Sequence, residues 1–240
     1  MSVDLKRTGY FIDTSELQPI NDWRSAINGV TTNPVILAKG GVLNVPERLG
    51  EICKIVGPGV PVSVEIPDTN LSELQMIEMA RELHAQFLNN AVIKVPLTPE
   101  PKPFNVLSQL ARENIPTNAT LGLTFAQLAL AASAGADYIS MFWGRVSESH
   151  DNYKEGPDPE TLLEATLTFL LKQGLPAKVI IGSIRTPDHI MQAFSLGAHI
   201  VTVPPQRLQE SFTNRRLGET IEEFNDAYAS VKDQPGFKIV

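Results

Sequence analysis

The sequence predicts an α/β fold, a closed (β/α)8 TIM barrel followed by an extra C-terminal helix. Three observations carry that expectation. Eight short runs rich in β-branched and aromatic residues alternate with amphipathic stretches, the pattern of parallel strands joined by helices. The chain has 240 residues, close to the roughly 250 typical of such a barrel. No G-x-G-x-x-G follows the first run, so an open dinucleotide-binding sheet has no support.

Taken in order, the strands are expected at 10–14, 29–33, 62–66, 91–95, 117–121, 138–142, 179–183 and 199–203. Helices are expected between them at 17–27, 45–56, 71–88, 102–113, 124–134, 159–173 and 187–196. Asp68-Thr69-Asn70 offers an N-cap for the third helix. Gly135 and Gly197 stand in matching helix-to-strand turns, where glycine suits the position just past a helix. The polar stretch 146–157 contains Gly and Pro and reads as a surface loop after the sixth strand. After Pro204-Pro205 a short helix is expected near 206–212. Then Leu217, Ile221, Phe224, Tyr228 and Val231 recur at spacings of 4, 3, 4 and 3, which gives a helix over about 215–232 with one apolar seam. No linker or composition break divides the chain, so residues 1–240 read as one domain.

Composition bounds the function. The chain is 42% apolar and 20% charged, ordinary for a soluble globular protein. A net charge of −7 without any basic run argues against nucleic acid and anionic membrane surfaces as partners. The polar, charged start from Met1 to Tyr10 does not read as a secretory signal, and no apolar run approaches a membrane span. The expected location is the cytoplasm. Cys53 is the single cysteine, has no His or second Cys beside it, and reads as a buried inert thiol.

The chemically informative residue is Lys94, in the run Ala91-Val92-Ile93-Lys94-Val95-Pro96. A buried ammonium costs several kcal/mol unless it is paired or its pKa falls. On this segment alone, the lysine either snorkels or pairs with a carboxylate, or serves as an amine nucleophile toward a carbonyl. The other strands favour the nucleophile. Side chains alternate across a strand, and inward residues near strand C-termini line the mouth of a barrel. In phase, those positions are Asp13, Thr31 and Asn33, Glu65, Lys94, Asn118 and Thr120, Ser140, and Ser183. Arg145 and Arg185 follow strands six and seven. A purely structural rim would carry Val, Ile and Leu there.

The set is chemically coherent. Lys94 supplies the amine, and Asp13 an acid and base for an oxygen being made or broken. Glu65 with Thr120 holds a water for forming and hydrolysing an imine. Asn33 and Asn118 suit vicinal hydroxyls. Two arginines suit a phosphate, and Arg185 falls near the usual barrel phosphate site. Pro204 and Pro205 lack backbone donors after strand eight, which makes side-chain guanidinium groups more necessary.

Six segments in order resemble the transaldolase family, and most closely its short subfamily that includes fructose-6-phosphate aldolase. They are Gly29-Val30-Thr31-Thr32-Asn33-Pro34, Ile93-Lys94-Val95-Pro96-Leu97-Thr98, Thr117-Asn118-Ala119-Thr120-Leu121, Ser140-Met141-Phe142-Trp143-Gly144-Arg145, Gly182-Ser183-Ile184-Arg185-Thr186-Pro187 and Thr202-Val203-Pro204-Pro205. The resemblance implies a barrel enzyme that needs no metal or cofactor. Lys94 matches the Schiff-base lysine, Asp13 the acid/base aspartate and Glu65 the carboxylate that positions the catalytic water. Asn33, Asn118, Thr120 and Ser140 match residues around a dihydroxyacetone unit, and Arg145 and Arg185 the phosphate-binding pair. Members that act as aldolases carry Gln at the position of Glu65 and Tyr at that of Phe142, so this chain has the transferase pair. The implied activity is transfer of dihydroxyacetone from a ketose phosphate to an aldose, in carbohydrate metabolism of the pentose phosphate kind. The alternatives are an aldolase that releases dihydroxyacetone and a barrel that only binds sugar phosphates. Short members of the family form pentamers that stack into decamers, so a homo-oligomer is expected. Met141, Trp143, Gly122-Leu123-Thr124, the Pro-rich 99–103 and the segment 147–156 depart from the usual pattern, and are expected to alter the acceptor side of the rim.

Overall fold

A computed structural model describes residues 2–87 and 89–238. Eight parallel strands close into a barrel in sequence order. They are β1 (Gly9–Asp13), β2 (Gly29–Thr31), β3 (Val62–Glu65), β4 (Ala91–Pro96), β5 (Thr117–Gly122), β6 (Tyr138–Phe142), β7 (Lys178–Gly182) and β8 (Ile200–Val203). β1 pairs with both β2 and β8, which completes the closure. The helices are α1 (Leu17–Trp23), α2 (Pro34–Lys39), α3 (Val45–Val56), α4 (Glu73–Gln86), α5 (Lys102–Arg112), α6 (Phe125–Ser133), α7 (Trp143–Glu148), α8 (Pro159–Gln173), α9 (Pro187–Ser195), α10 (Pro205–Glu210) and α11 (Arg215–Val231). Among the described residues, no helix is long and apolar enough to cross a membrane.

Local chemistry sets the helix starts. Asn44 caps α3 and Asp158 caps α8, each with a proline in the first turn. Ser72 with Gln75 and Thr124 with Gln127 form reciprocal capping boxes on α4 and α6. The cap of α4 is therefore Ser72 and not the 68–70 segment, where Asp68 instead closes a turn onto the Asn70 N–H (2.8 Å). The helix expected at 71–88 ends at Gln86, and Leu88 lies outside the described residues. Gly135 and Gly197 both adopt φ +95°, as the helix-to-strand turns require.

Two short helices were not expected. α2 begins after Thr32 and Asn33 at the end of β2, and α7 directly after β6. α7 runs on into a π turn at Ser149–Tyr153, so most of the stretch expected to be a loop is helical. Lys154, left-handed at φ 57°, ends it.

Apolar packing has two parts. The larger cluster lies between the barrel and its helices and includes Ile12, Val64, Ile93, Val95, Met141 and Val179. A second cluster, Phe11, Val92, Tyr138, Ile180 and Ile200, fills the lower barrel, with Val3 and Leu5 from the N-terminal segment packed against it. Gly29 makes room for it, since a Cβ there would lie 2.4 Å from the Phe11 ring. Above this layer the inward positions turn polar. Cys53 on α3 is only partly buried, and burial pushes its thiol up to about 11.

His199 gives the barrel an acid-sensitive contact. Its Nδ1 accepts a hydrogen bond from the Val179 N–H at 3.2 Å. Burial, and then Lys178, lower its pKa below the ordinary value. The folded chain thus holds the neutral ring, whereas the unfolded chain takes up a proton near pH ~6.5. Stability from this residue is present above that pH and lost as pH falls below it. His199→Asn keeps an acceptor and removes the titration. Calorimetric melting between about pH 7 and 5 should show a shallower fall in Tm for the variant than for the wild type. Equal slopes would assign the acid sensitivity elsewhere.

Candidate active site

Lys94 is 4% exposed and lies on β4 in register with Glu65 of β3. Its Nζ is 2.8 Å from Glu65 Oε2 and donates to the Thr32 carbonyl at 3.0 Å. Of the two ways to bury a lysine, pairing is the one realised here. The carboxylate compensates the charge, and the carbonyl at the end of β2 satisfies a further proton.

Asp13 stands on the same polar layer. Burial raises its pKa, against the opposing pull of Lys94 and of a hydrogen bond from Thr31, with Glu65 adding a small upward push. The Thr31 hydroxyl donates to Asp13 Oδ1 at 2.6 Å and lies 2.6 Å from the Thr202 hydroxyl. With its one proton committed to Asp13, Thr31 must accept from Thr202. Thr202 was not among the residues expected here. An uncharged threonine in a strand gives no signal until β8 is closed against β1.

Asn33 reaches the cavity with half its amide already used. As N-cap of α2, its Oδ1 accepts the Ile36 N–H at 2.9 Å. What it has left for a ligand is the NH2 group. Asn118 and Thr120 are completely buried, Asn118 in register with Lys94, and neither lines the cavity itself. Asn118 accepts from Ser140 at 2.7 Å and donates to Ser63 at 3.3 Å. It acts on the cavity through Ser140, which does line it. The Thr120 hydroxyl has no protein partner among the described residues.

The cavity is about 670 Å³. Asp13, Thr31, Asn33, Glu65, Lys94, Ser140, Phe142, Arg145 and Ser183 line it, as do Lys39, Leu121, Leu123, Gly182 and Thr202. Leu121 and Ser183 hold left-handed conformations, φ 64° and 58°. A non-glycine residue pays about 1–2 kcal/mol for this, and such strain gathers at functional sites. Around Leu121 the register between β5 and β6 shifts, which turns this residue toward the mouth. Arg185 lies beside the wall rather than in it. Its Nη1 is 2.5 Å from Glu148 Oε1, while Arg145 Nη1 is 3.8 Å from the other oxygen of that carboxylate. Glu148 carries no signal in the sequence, because the polar stretch 146–157 has no helical pattern of its own. No group of three or more His, Cys, Asp or Glu is placed to hold a metal among the described residues.

The sequence departures prove mostly structural. Met141 is fully buried in the barrel–helix layer, so it does not face the cavity. Trp143 is buried at the start of α7, its ring 5.9 Å from that of His189. Thr124 caps α6 and Pro101 precedes α5. Of the departures named, Leu123 is the one on the cavity wall.

A barrel with an amine and two carboxylates converging at the C-terminal ends of its strands has the form of an enzyme that handles carbonyl compounds. Comparison with known proteins gives the family. The family model described as transaldolase/fructose-6-phosphate aldolase matches residues 10–235. A probable transaldolase of Clostridium kluyveri is 39% identical over 228 residues, covering 93% of this chain and 99% of the relative. One from Thermoplasma volcanium is 33% identical over 233 residues, covering 95% and 99%. One from Methanococcus maripaludis is 35% identical over 218 residues, covering 90% and 94%. The chain belongs to the transaldolase/fructose-6-phosphate aldolase family.

The Lys94–Glu65 pair predicts an asymmetric mutational cycle. Glu65→Gln leaves a buried ammonium unpaired and should cost about 3 kcal/mol in urea unfolding. Lys94→Met should cost less, because the Glu65 side chain opens more to the cavity than that of Lys94, 11% against 5% exposed. The double variant should recover most of the Glu65→Gln loss. Additive losses would mean that the two groups are not coupled.

Proposed function

We propose that this enzyme is a transaldolase that moves a dihydroxyacetone unit from a ketose phosphate to an aldose through a Schiff base on Lys94. The observation that carries the reading is the buried Lys94 amine with a carboxylate at 2.8 Å. Proton transfer to Glu65 frees the amine lone pair, which attacks the ketose carbonyl. The carbinolamine loses water to give the iminium. Asp13 takes the proton from the C4 hydroxyl, the C3–C4 bond breaks, and the aldose leaves. The bonding electrons pass into the iminium and give a three-carbon enamine on Lys94. A second aldehyde then accepts the enamine carbon, Asp13 returns its proton to the new alkoxide, and water releases the product.

The raised pKa of Asp13 suits it to taking that proton, and the Thr202–Thr31 relay fixes its orientation. Asn33 and Ser140 are assigned to the hydroxyls of the three-carbon unit, with Asn118 holding Ser140 in place. Thr120, whose buried hydroxyl lacks a partner, is assigned with Glu65 to the water of imine formation and hydrolysis. Ser183 lies on the wall near the arginines, and Arg145 and Arg185 are assigned to the phosphate. Glu65 and Phe142, both on the cavity wall, favour transfer over release of free dihydroxyacetone. Sugar phosphates in the cytoplasm are the substrate class this reading implies.

Borohydride added during turnover of fructose 6-phosphate should fix a three-carbon unit on Lys94, and Lys94→Met should abolish it. Adding an aldose acceptor should divert the unit into a new ketose. Label at another lysine would sink the Schiff-base assignment. Release of dihydroxyacetone as fast as transfer would favour the aldolase.

We also propose a homo-oligomer of the pentameric or decameric kind. It is supported by α11, whose seam stays in water on one chain: Leu217, Ile221 and Tyr228 are half exposed and Phe224 is 71% exposed. Apolar exposure of this extent favours coverage by a neighbour. Light scattering should give a multimer for the intact chain and a smaller species for one ending near Asn214. A monomeric intact chain would rule this out.

A further inference from the structure

Glu148 was assigned no role by the transfer reaction, yet it occupies the position where the two arginines converge. Its carboxylate meets Arg185 through one oxygen at 2.5 Å and faces Arg145 through the other at 3.8 Å. The contact is built rather than incidental. Gly144 lets the Arg185 side chain lie close against α7, since a Cβ there would come 2.6 Å from Arg185 Nε. The Gly144 N–H also donates to the Ser183 carbonyl at 3.1 Å, which ties α7 to the chain just before Arg185. Glu148 ends α7, one turn after Arg145 on the same helix. One anion thus pairs closely with Arg185 and stands within ion-pair range of Arg145.

We propose that Glu148 is a specificity residue, a built-in competitor that yields the arginine pair to a dianionic phosphate but not to a singly charged carboxylate. This rests on the reading of Arg145 and Arg185 as the phosphate site. Exchanging one carboxylate for another gains no charge. A phosphate monoester carries close to two negative charges at neutral pH and three acceptor oxygens, so it gains on both counts. Its binding still loses the Glu148 pairing, which is of modest strength because all three side chains are partly exposed, at 38–64%. The residue therefore trades phosphate affinity for discrimination against sugar acids and other monoanions.

Calorimetric titration of the whole protein with inorganic phosphate, and separately with acetate, tests this without reference to turnover. Glu148→Gln should tighten phosphate about fivefold, the scale of losing one exposed ion pair. It should also make acetate binding measurable where the wild type shows none. Glu148→Ala should shift both in the same direction, and Arg185→Ala should weaken phosphate in either background. A gain of affinity is not what damage to the fold would produce. Phosphate binding that is unchanged or weaker in both Glu148 variants overturns the proposal while leaving the arginine site intact. Wild-type binding of phosphate that is absent, or indifferent to Arg185→Ala, overturns the phosphate reading itself and the proposal with it.

Discussion

A cation inside a closed apolar barrel has to be answered by an anion, and that requirement organises this molecule. Lys94 and Glu65 meet as directly registered residues of adjacent strands. A slip of one residue between β3 and β4 would turn one partner outward and leave the other buried without compensation. The pairing therefore locks the phase of two strands. Barrel closure passes that phase around the ring to Asp13, Thr31, Ser140 and Thr202. The same electrostatic demand that makes the fold specific also places an amine between groups able to move its proton.

Beneath this layer the barrel is sealed. Phe11, Val92, Tyr138, Ile180 and Ile200 fill its lower half, and Val3 and Leu5 close the end. Lys94 opens to the cavity on the C-terminal side of the strands, where the loops and short helices lie. Apolar below and polar above is a division of labour along single strands. β4 carries it in two inward residues, Val92 and Lys94.

Much of this was legible because its signals are local. Eight β-rich runs and the Gly135 and Gly197 turns can be read within a few residues. The polar rim emerges once alternation is applied along each run. What was not legible depends on tertiary closure. α2 and α7 are six residues each, too short for a periodic pattern, and they are held by contacts at their starts: Asn33 capping α2, and Gly144 bonded to Ser183. Asn118 has the right phase and stands in register with Lys94, but its amide is taken up by Ser140 and Ser63, which alternation along one strand does not reveal. Thr202 and Glu148 are unremarkable in sequence, and they gain meaning only when β8 meets β1 and α7 meets the loop after β7. Met141 shows the converse. It stands between Ser140 and Phe142, which both line the cavity, yet it faces the helices.

Gly29 and Phe11 share one volume at the bottom of the barrel, the ring of one filling the space left by the other. Neither position can drift alone. A larger residue at 29 is tolerable only with a smaller one at 11, and a smaller residue at 11 alone opens a void under the polar layer. The lower barrel accommodates change only in coupled pairs, while the segments around the mouth have no such partner to match. A substitution at a mouth position such as Leu123 therefore reshapes the cavity without disturbing the barrel floor.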